Sequence, residues 1–453
     1  MVQNKLHIEA KKVLKQSLKN ILSNCKISKG LISFDEKTDN EIDKYISEAK
    51  KHKKAWLGYR ELYGILYDQV SDCLSEHVKE KRWETSGDLI NIITYEGIEN
   101  VSDRIIAYLE SIPRRYFVYF ELPSVRGIGV KEINLTDDIS FVERVDENDF
   151  SEIKITASGL GRMGLGLYGT LRKEQLYICI QTNGYSDGTL ESSAVKKAYS
   201  RFKQVFLLAK LSGALIETKE TVRLGLGQVL GSYYNNPQAF VVDAMESNAE
   251  KNYSISLPRV VSDYVSKISI NENILKPDEY EVIVEKFENK DALTPNDKAK
   301  ILKKRFQHAV KLLQSSDEDK NVKPTKTAIE WAFDSLTNDN ETLAFIQACI
   351  GLEAILGDEN EDQKRLLDDK LADRCAYLLG KNFSERKNIK EKFVKLYNIR
   401  SKLIHGRKAE LDEEQMYFLR FSQRILNGII WKEISYIEDK EEISDILKQY
   451  LKN

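Results

Sequence analysis

Apolar residues recur at helical spacing over most of this chain. In the first third the spacing predicts a helix ending near Cys25, a long helix from Asn40 to Lys81 and a third from Leu89 to Ile112. From residue 294 onward helices follow one another almost without interruption, with glycines as stop signals. These predicted helices cover residues 296–313, 326–336, 341–356, 362–379, 385–405, 412–434 and 442–451. Their short connections favour a helical bundle.

The pattern of apolar and polar residues changes at Pro113. Beyond it, β-branched and aromatic residues partly alternate with polar ones, which predicts strands around a helix at 192–211. The predicted strands cover residues 116–122, 139–143, 152–157, 175–181, 239–242 and 280–287. The sequence therefore predicts a multidomain, mainly α protein with a helical region over 1–112, a mixed α/β domain over 113–290 and a helical bundle over 291–453.

A glycine-rich stretch, SGLGRMGLGLYG at residues 158–169, contains G-x-G-x-x-G. In a dinucleotide site this motif opens a helix, whereas here a strand pattern follows it. A glycine-rich hairpin or loop is the favoured interpretation, and nucleotide binding the lesser one. The cluster at 224–231 is interpreted in the same way.

Charge is high but balanced, with 69 Lys plus Arg against 71 Asp plus Glu, so affinity for an anion must be local. For the block KKHKK at 50–54, a solvated helix face is the favoured interpretation and contact with an anion the lesser one. Five scattered cysteines without C-x-x-C predict small buried residues in a reducing compartment and no zinc site. Without an apolar leader or a run of about 18 apolar residues, we expect a cytoplasmic protein that makes no use of a membrane.

Three charges interrupt the apolar stripes of the bundle helices. Arg400 lies in the stripe of Phe393 and Leu396, while Glu353 and Arg374 interrupt the stripes of two preceding helices. Because burial of an unpaired charge costs several kcal/mol, we expect Glu353 to pair with Arg374, Arg400 or both. For Glu353 and Arg374 a purely structural ion pair is the favoured interpretation.

Arg400 is followed five residues later by His405, and Gly406 predicts the end of the helix. An imidazole can serve as acid or base, and a guanidinium can grip a phosphate. The two lie about 140° apart on an ideal helix, so they converge only if the Arg side chain bends back or a second copy contributes one of them. Residues 381–408 hold ten basic residues against two acids, which favours a phosphate-bearing chain as ligand. The ten are Lys381, Arg386, Lys387, Lys390, Lys392, Lys395, Arg400, Lys402, Arg407 and Lys408.

The chain resembles the Apea-like group of HEPN domains in four features. These are R-x4-H in YNIRSKLIHG, L-E-A at residues 352–354, the helix of Arg374, and Tyr397 one turn before Arg400. The resemblance covers about residues 294–440 and gives the bundle its expected fold. It implies a metal-independent endoribonuclease without a cofactor, in which Arg400 binds the phosphate and His405 transfers protons. Ser401 stands where many active members carry Asn, Asp or His.

The same resemblance implies a homodimer or higher assembly, with RNA as substrate, acting as a toxin-like effector in antiviral defence under a possible phage-derived trigger. Residues 1–290 would then be the sensor or regulatory region. Supporting positions are Ser401, Lys402, Tyr397, Glu353 and Arg374, and RNA contacts are expected from Lys395, Arg407 and Lys408. Two alternatives stay open: a non-catalytic RNA or nucleotide binder, and an adaptor whose bundle only dimerises.

Overall fold

The structure, a computed structural model, describes residues 5–34, 36–126, 129–143, 175–217, 238–244, 253–271, 294–317, 319–357 and 367–450. It is mainly α, with a mixed sheet region, which confirms that part of the prediction. The chain divides into two compact units, and the three-part division into 1–112, 113–290 and 291–453 stays a prediction. The first unit comprises Met1–Phe117, Gln181–Lys197 and Val241–Lys251, and the second Val118–Ile180, Ala198–Phe240 and Asn252–Asn453.

The first unit is built on four helices and a small sheet. The helices are α1 (Ile8–Ser23), α2 (Glu36–Lys53), α3 (Tyr59–Val78) and α4 (Leu89–Ser111), with a 3₁₀ helix at Lys79–Glu84. Strands β1 (Lys26–Ser28), β2 (Leu31–Ser33) and β3 (Gly87–Asp88) form a sheet of order β2-β1-β3, which the sequence did not predict. Leu14, Leu18, Leu66 and Leu109 are fully buried in the core of this unit.

The single long helix predicted over 40–81 is wrong, since the chain turns between α2 and α3. The amides of Trp56 and Leu57 both bond back to the Lys53 carbonyl, which ends α2. Gly58 then caps α3, and its amide donates to the Glu61 carboxylate at 2.8 Å. A satisfied cap at each side of the turn explains why two helices replace one.

Eight further strands lie in the part of the sheet region that the structure describes. These are β4 (Arg114–Arg126), β5 (Glu132–Asn134), β6 (Ile139–Glu143), β7 (Gln175–Gly184), β8 (Leu215–Glu217), β9 (Gln238–Asp243), β10 (Tyr253–Ser256) and β11 (Ile268–Ile270). Six form a sheet of order β10-β9-β4-β7-β6-β5, and β8 pairs with β11. Strands β6 and β7 are antiparallel with Phe141 opposite Ile178. The predicted strands at 152–157 and 280–287, and both glycine clusters, lie outside the described residues.

Helices α5 (Ser193–Leu211) and α6 (Arg259–Val265) accompany these strands. In the second unit, Phe202 of α5 stacks on Phe120 of β4 with ring centres 4.4 Å apart. The ring of Phe206 contacts the ring of Phe333, from the helix Lys323–Thr337, edge to face with ring centres 5.5 Å apart. Aromatic side chains therefore join strand and helices of this unit in one core.

The rest of the second unit is the predicted helical bundle. Its helices are α7 (Pro295–Gln314), α8 (Lys323–Thr337), α9 (Glu341–Leu356), α10 (Leu367–Leu379), α11 (Phe383–Ile404) and α12 (Met416–Tyr450). Helix α8 packs on α9, α10 on α11, and α12 on both α8 and α9. The two helices predicted over 412–434 and 442–451 are one, because residues 435–441 contain neither Gly nor Pro to stop the helix.

All five cysteines are buried and free, as the sequence predicted. Within the described ranges, no helix combines the length and the apolarity that crossing a bilayer requires.

Candidate functional site

The site is built on the last turns of α11. This helix is anchored by a buried face in which Phe393 and Leu396 are fully buried and the Tyr397 ring stacks on Phe393, with centres 4.8 Å apart. It ends at Ile404, with His405 as its C-cap. Tyr397, expected from the resemblance as a supporting residue, therefore has at least a packing role.

Gly406 ends the helix as the sequence predicted. Its φ of 65° lies in the left-handed region that favours glycine. Its amide bonds to the Leu403 carbonyl at 3.1 Å, and the Arg407 amide bonds to the Lys402 carbonyl at 2.9 Å. These two bonds form a Schellman motif, which fixes the backbone that carries His405 and Arg407.

Arg400 lies at the border between the buried face and solvent. Its Nη2 donates to Oε2 of Glu353 on α9 at 2.9 Å and lies 2.7 Å from Oε1 of the same carboxylate. Both side chains are 27% exposed, so the expected ion pair is present, but its charges reach solvent and do not point fully inward. Nε of Arg400 is buried without a hydrogen-bond partner in the described part of the chain. The guanidinium thus keeps donor capacity beyond the Glu353 contact.

Arg374 reaches the same end of α9 as Arg400. From α10 its Nη1 donates to the Leu356 carbonyl at 2.5 Å. Leu356 is the last residue of α9 and follows Glu353 by one turn. A cation at the C-terminus of a helix is favoured by the helix dipole, so this contact stabilises the junction of α9 and α10.

His405 is exposed, and its ring has no hydrogen bond or ion pair to any residue that the structure describes. Its backbone amide bonds to the Ser401 carbonyl at 3.1 Å, and the Ser401 side chain is half-buried. The side chains of Arg400 and His405 point about 140° apart on an ideal helix. The described contacts of one chain accordingly tie Arg400 to α9 and leave His405 facing solvent.

His405 belongs to an exposed polar stripe on α11. Lys395, Asn398, Lys402 and His405 are all exposed, and at helical spacing they lie within about 80° of one another. We call these four residues the α11 stripe. Asn398 was missed by the sequence analysis, although its position seven residues before His405 was the available signal.

The positive charge around the stripe is smaller than the count of ten basic residues suggested. Lys390 pairs with Asp373 at 2.6 Å, Lys408 pairs with Asp412, and Arg400 pairs with Glu353. The lowered pKa of Asp412 has its largest cause in the hydrogen bond from Lys408. Five cations of this segment are exposed without an acidic partner among the described residues, namely Lys381, Lys387, Lys395, Lys402 and Arg407.

Acidic residues also flank the far side of His405. Glu410, Asp412, Glu413 and Glu414 follow the helix directly and are exposed. The positive charge of the α11 stripe and Arg407 therefore ends a few residues beyond His405.

The chain has no match in the comparisons with protein-family models, curated proteins and solved structures. The residues of the site are therefore what indicates its chemistry. Exposed cations and an amide can attract and orient a phosphodiester, and an imidazole can move a proton beside it, while the guanidinium of Arg400 lies about 140° away on the other side of the helix. Over the described ranges, no three His, Cys, Asp or Glu side chains are grouped as metal ligands.

Proposed function

We propose that the end of α11 is the active site of a metal-independent endoribonuclease of the HEPN type, working as a homodimer or a higher assembly. The observation that carries the proposal is the α11 stripe, an exposed row of two lysines and an asparagine that ends in the unpaired imidazole of His405. Arg400, five residues before it, is held by Glu353 and remains 27% exposed. The resemblance of YNIRSKLIHG to the family motif supports the same assignment.

In the proposed reaction the ribose 2′-hydroxyl attacks the adjacent phosphorus. An imidazole accepts the 2′ proton while the new 2′-O–P bond forms and the P–O5′ bond breaks. A proton passes to the departing 5′ oxygen, so the products are a 2′,3′-cyclic phosphate and a 5′-hydroxyl. The guanidinium of Arg400 stabilises the charge that builds on the phosphoryl oxygens.

The proposal requires two copies of the bundle. Since Arg400 and His405 point about 140° apart, one chain cannot direct both at a single phosphate without moving the Arg400–Glu353 pair. Two α11 helices related by a twofold axis can present the His405 of one copy and the Arg400 of the other to one phosphate. Lys395, Lys402 and Arg407 of both copies then bind the flanking phosphates.

A role in cytoplasmic defence against phage, with residues 1–290 sensing a phage-derived trigger, rests on the resemblance alone. Its test is expression of wild-type protein and His405→Ala in a host cell, with growth and RNA integrity followed with and without phage. We expect the wild type alone to arrest growth and degrade RNA after infection. Equal outcomes for both proteins would remove the defence assignment.

The enzyme assignment is tested with purified protein and end-labelled RNA. We expect wild-type cleavage to leave a 2′,3′-cyclic phosphate, to continue in EDTA and to stop when the attacking nucleotide is 2′-deoxy. Arg400→Ala and His405→Ala should lose cleavage and stay folded, and Lys381→Ala, an exposed cation outside the α11 stripe, is the matched control. If all variants cleave alike, the activity is a contaminant or lies elsewhere in the chain.

A second candidate is a non-catalytic RNA binder that uses the same stripe. The observation in its favour is that Glu353 already holds the Arg400 guanidinium, through a hydrogen bond from Nη2 to Oε2 and an ion-pair contact with Oε1. A binder would hold RNA in a salt-dependent way and leave it intact with or without a trigger. The cleavage assay therefore separates the two candidates directly.

A further inference from the structure

A basic groove lies in the first unit, at the junction of α2 and α3. Its volume is about 920 Å³, and the residues of the turn from Lys54 to Gly58 are among those that line it. Lys50 from the end of α2 also lines it, together with Ser193 and Lys196 from the first turn of α5. Three lysines of the KKHKK block, Lys50, Lys51 and Lys54, thus line a groove instead of only covering a helix face.

Three of the lysines in the groove are available to a ligand. Lys50, Lys54 and Lys196 are exposed, and no acidic side chain in the described residues pairs with them. We call these three the groove lysines. Lys51 also lines the groove, but it is paired with Glu48 at 2.6 Å.

The acids of the groove offset only part of this charge. Glu61 is tied to the Gly58 amide, and Glu191 is exposed at the rim. The groove therefore carries more positive than negative charge where a ligand would lie.

Helix stability explains some of these positions but not all of them. Lys50 lies in the last turn of α2, where a cation complements the helix dipole. Lys196 lies at the N-terminus of a helix instead, in the first turn of α5, which has no acidic residue. A cation there is disfavoured by the dipole of its own helix. Its place beside two other unpaired lysines is accounted for by an anion that all three contact.

Trp56 supplies an aromatic surface in the same groove. Its side chain is half-buried and packs against the core of the first unit, so its ring is held in place. Single-stranded nucleic acids bind proteins through a positively charged groove that follows the phosphates and aromatic rings on which bases stack. Paired bases of a duplex cannot reach such a ring in this way.

From this geometry we infer that the groove binds single-stranded nucleic acid, with the groove lysines on the phosphates and a base on Trp56. The inference goes beyond the proposed function, because it concerns the first unit and needs no cleavage. An open surface of lysines suits a polyanionic strand better than a small nucleotide, which proteins enclose.

The test uses the full chain in a background that silences the α11 stripe, with Lys395→Ala, Lys402→Ala, Arg407→Ala and His405→Ala. The integrity of the strand is checked on a gel after each titration, and binding is measured without any need for cleavage, so failure here is distinct from failure of the nuclease proposal. Fluorescence anisotropy follows binding of a labelled single strand of about 12 nucleotides, a length within the usual site sizes. Three contacts predict that affinity falls roughly 18-fold between 50 and 200 mM salt.

Alanine at all three groove lysines should lower affinity at least tenfold and flatten the salt dependence. The matched control, Lys12→Ala with Lys44→Ala and Lys197→Ala, removes three exposed lysines of the same unit outside the groove and should bind like the background. Trp56→Phe, which keeps a ring, should retain binding.

Three results would overturn the inference. The first is equal binding by the groove variant and the control. The second is duplex binding as tight as single-strand binding, which would mean an electrostatic patch without base stacking. The third is displacement of the strand by stoichiometric ATP, which would mean a small-nucleotide site.

Discussion

Removal of the Arg400 guanidinium should damage catalysis far more than stability. The ion pair with Glu353 has short contacts of 2.7 and 2.9 Å, but each side chain is 27% exposed. Solvent at such a pair reduces its value well below that of a buried one, to about 1 kcal/mol. In Arg400→Ala the Glu353 carboxylate can hydrate, so we expect the free energy of unfolding to fall by about 1 kcal/mol and Tm to fall by a few degrees.

The expected catalytic loss is of a different size. A group that stabilises charge on the transferring phosphoryl is typically worth about 10²–10³ in rate. Arg400→Ala should therefore lower the cleavage rate about a hundredfold or more while the protein remains folded at the assay temperature.

The assay is a double-mutant cycle of Arg400→Ala, Glu353→Ala and the double variant, each unfolded in urea and assayed for RNA cleavage. The cycle isolates the coupling of the two side chains, which we expect near 1 kcal/mol. Glu353→Ala should lose less activity than Arg400→Ala, because Arg400 is freed to contact phosphate but is no longer positioned.

Arg400 would instead be a buried structural charge if Arg400→Ala lowered the free energy of unfolding by more than about 3 kcal/mol and still cleaved RNA. Zero coupling in the cycle would show that the contact has no energetic value.

Three further predictions concern the end of α11 and the buried cysteines. Gly406→Ala, at φ 65°, should lower the free energy of unfolding by about 1 kcal/mol and reduce cleavage by shifting His405, measured by urea unfolding and RNA assay. Lys408→Ala should raise the lowered pKa of Asp412 toward its ordinary value in an NMR titration, because the hydrogen bond from Lys408 is the largest cause of the lowering. The stability from this contact is present above the unfolded pKa of Asp412 and is lost as pH falls through the folded pKa. Native protein should react with a thiol reagent at none of its five buried cysteines and at all five in urea, since burial raises the pKa of thiols such as Cys375, to about 12.

Periodicity located the elements whose faces are clearly apolar. Helix α9 at Glu341–Leu356 and strand β6 at Ile139–Glu143 begin and end at the predicted residues. The turn between α2 and α3 was missed because Trp56 and Leu57 continue the apolar spacing, whereas the break is made by the Gly58–Glu61 cap. Caps depend on two or three polar contacts, which a hydrophobic pattern does not contain.

The candidate site was predictable in part. Arg400 and Glu353 each interrupt an apolar stripe, and a charge in such a place calls for a partner. The sequence therefore predicted that Glu353 pairs with Arg374, Arg400 or both, and the structure shows the pair with Arg400. Their exposure did not follow, because periodicity gives the direction of a side chain and not its depth. Asn398 was overlooked because an amide on a solvent-facing position resembles any other surface residue until the α11 stripe is seen as a whole.

The carbonyl oxygen of Lys402 accepts the amides of both Arg407 and Lys408, at 2.9 and 3.2 Å. The segment that follows α11 is therefore hydrogen-bonded to the last turn of the helix. We expect His405 and Arg407 to move together with α11 as one body. In the proposed dimer, rotation of the two α11 helices against each other would widen or narrow the gap between the bundles without refolding the segments that carry His405 and Arg407.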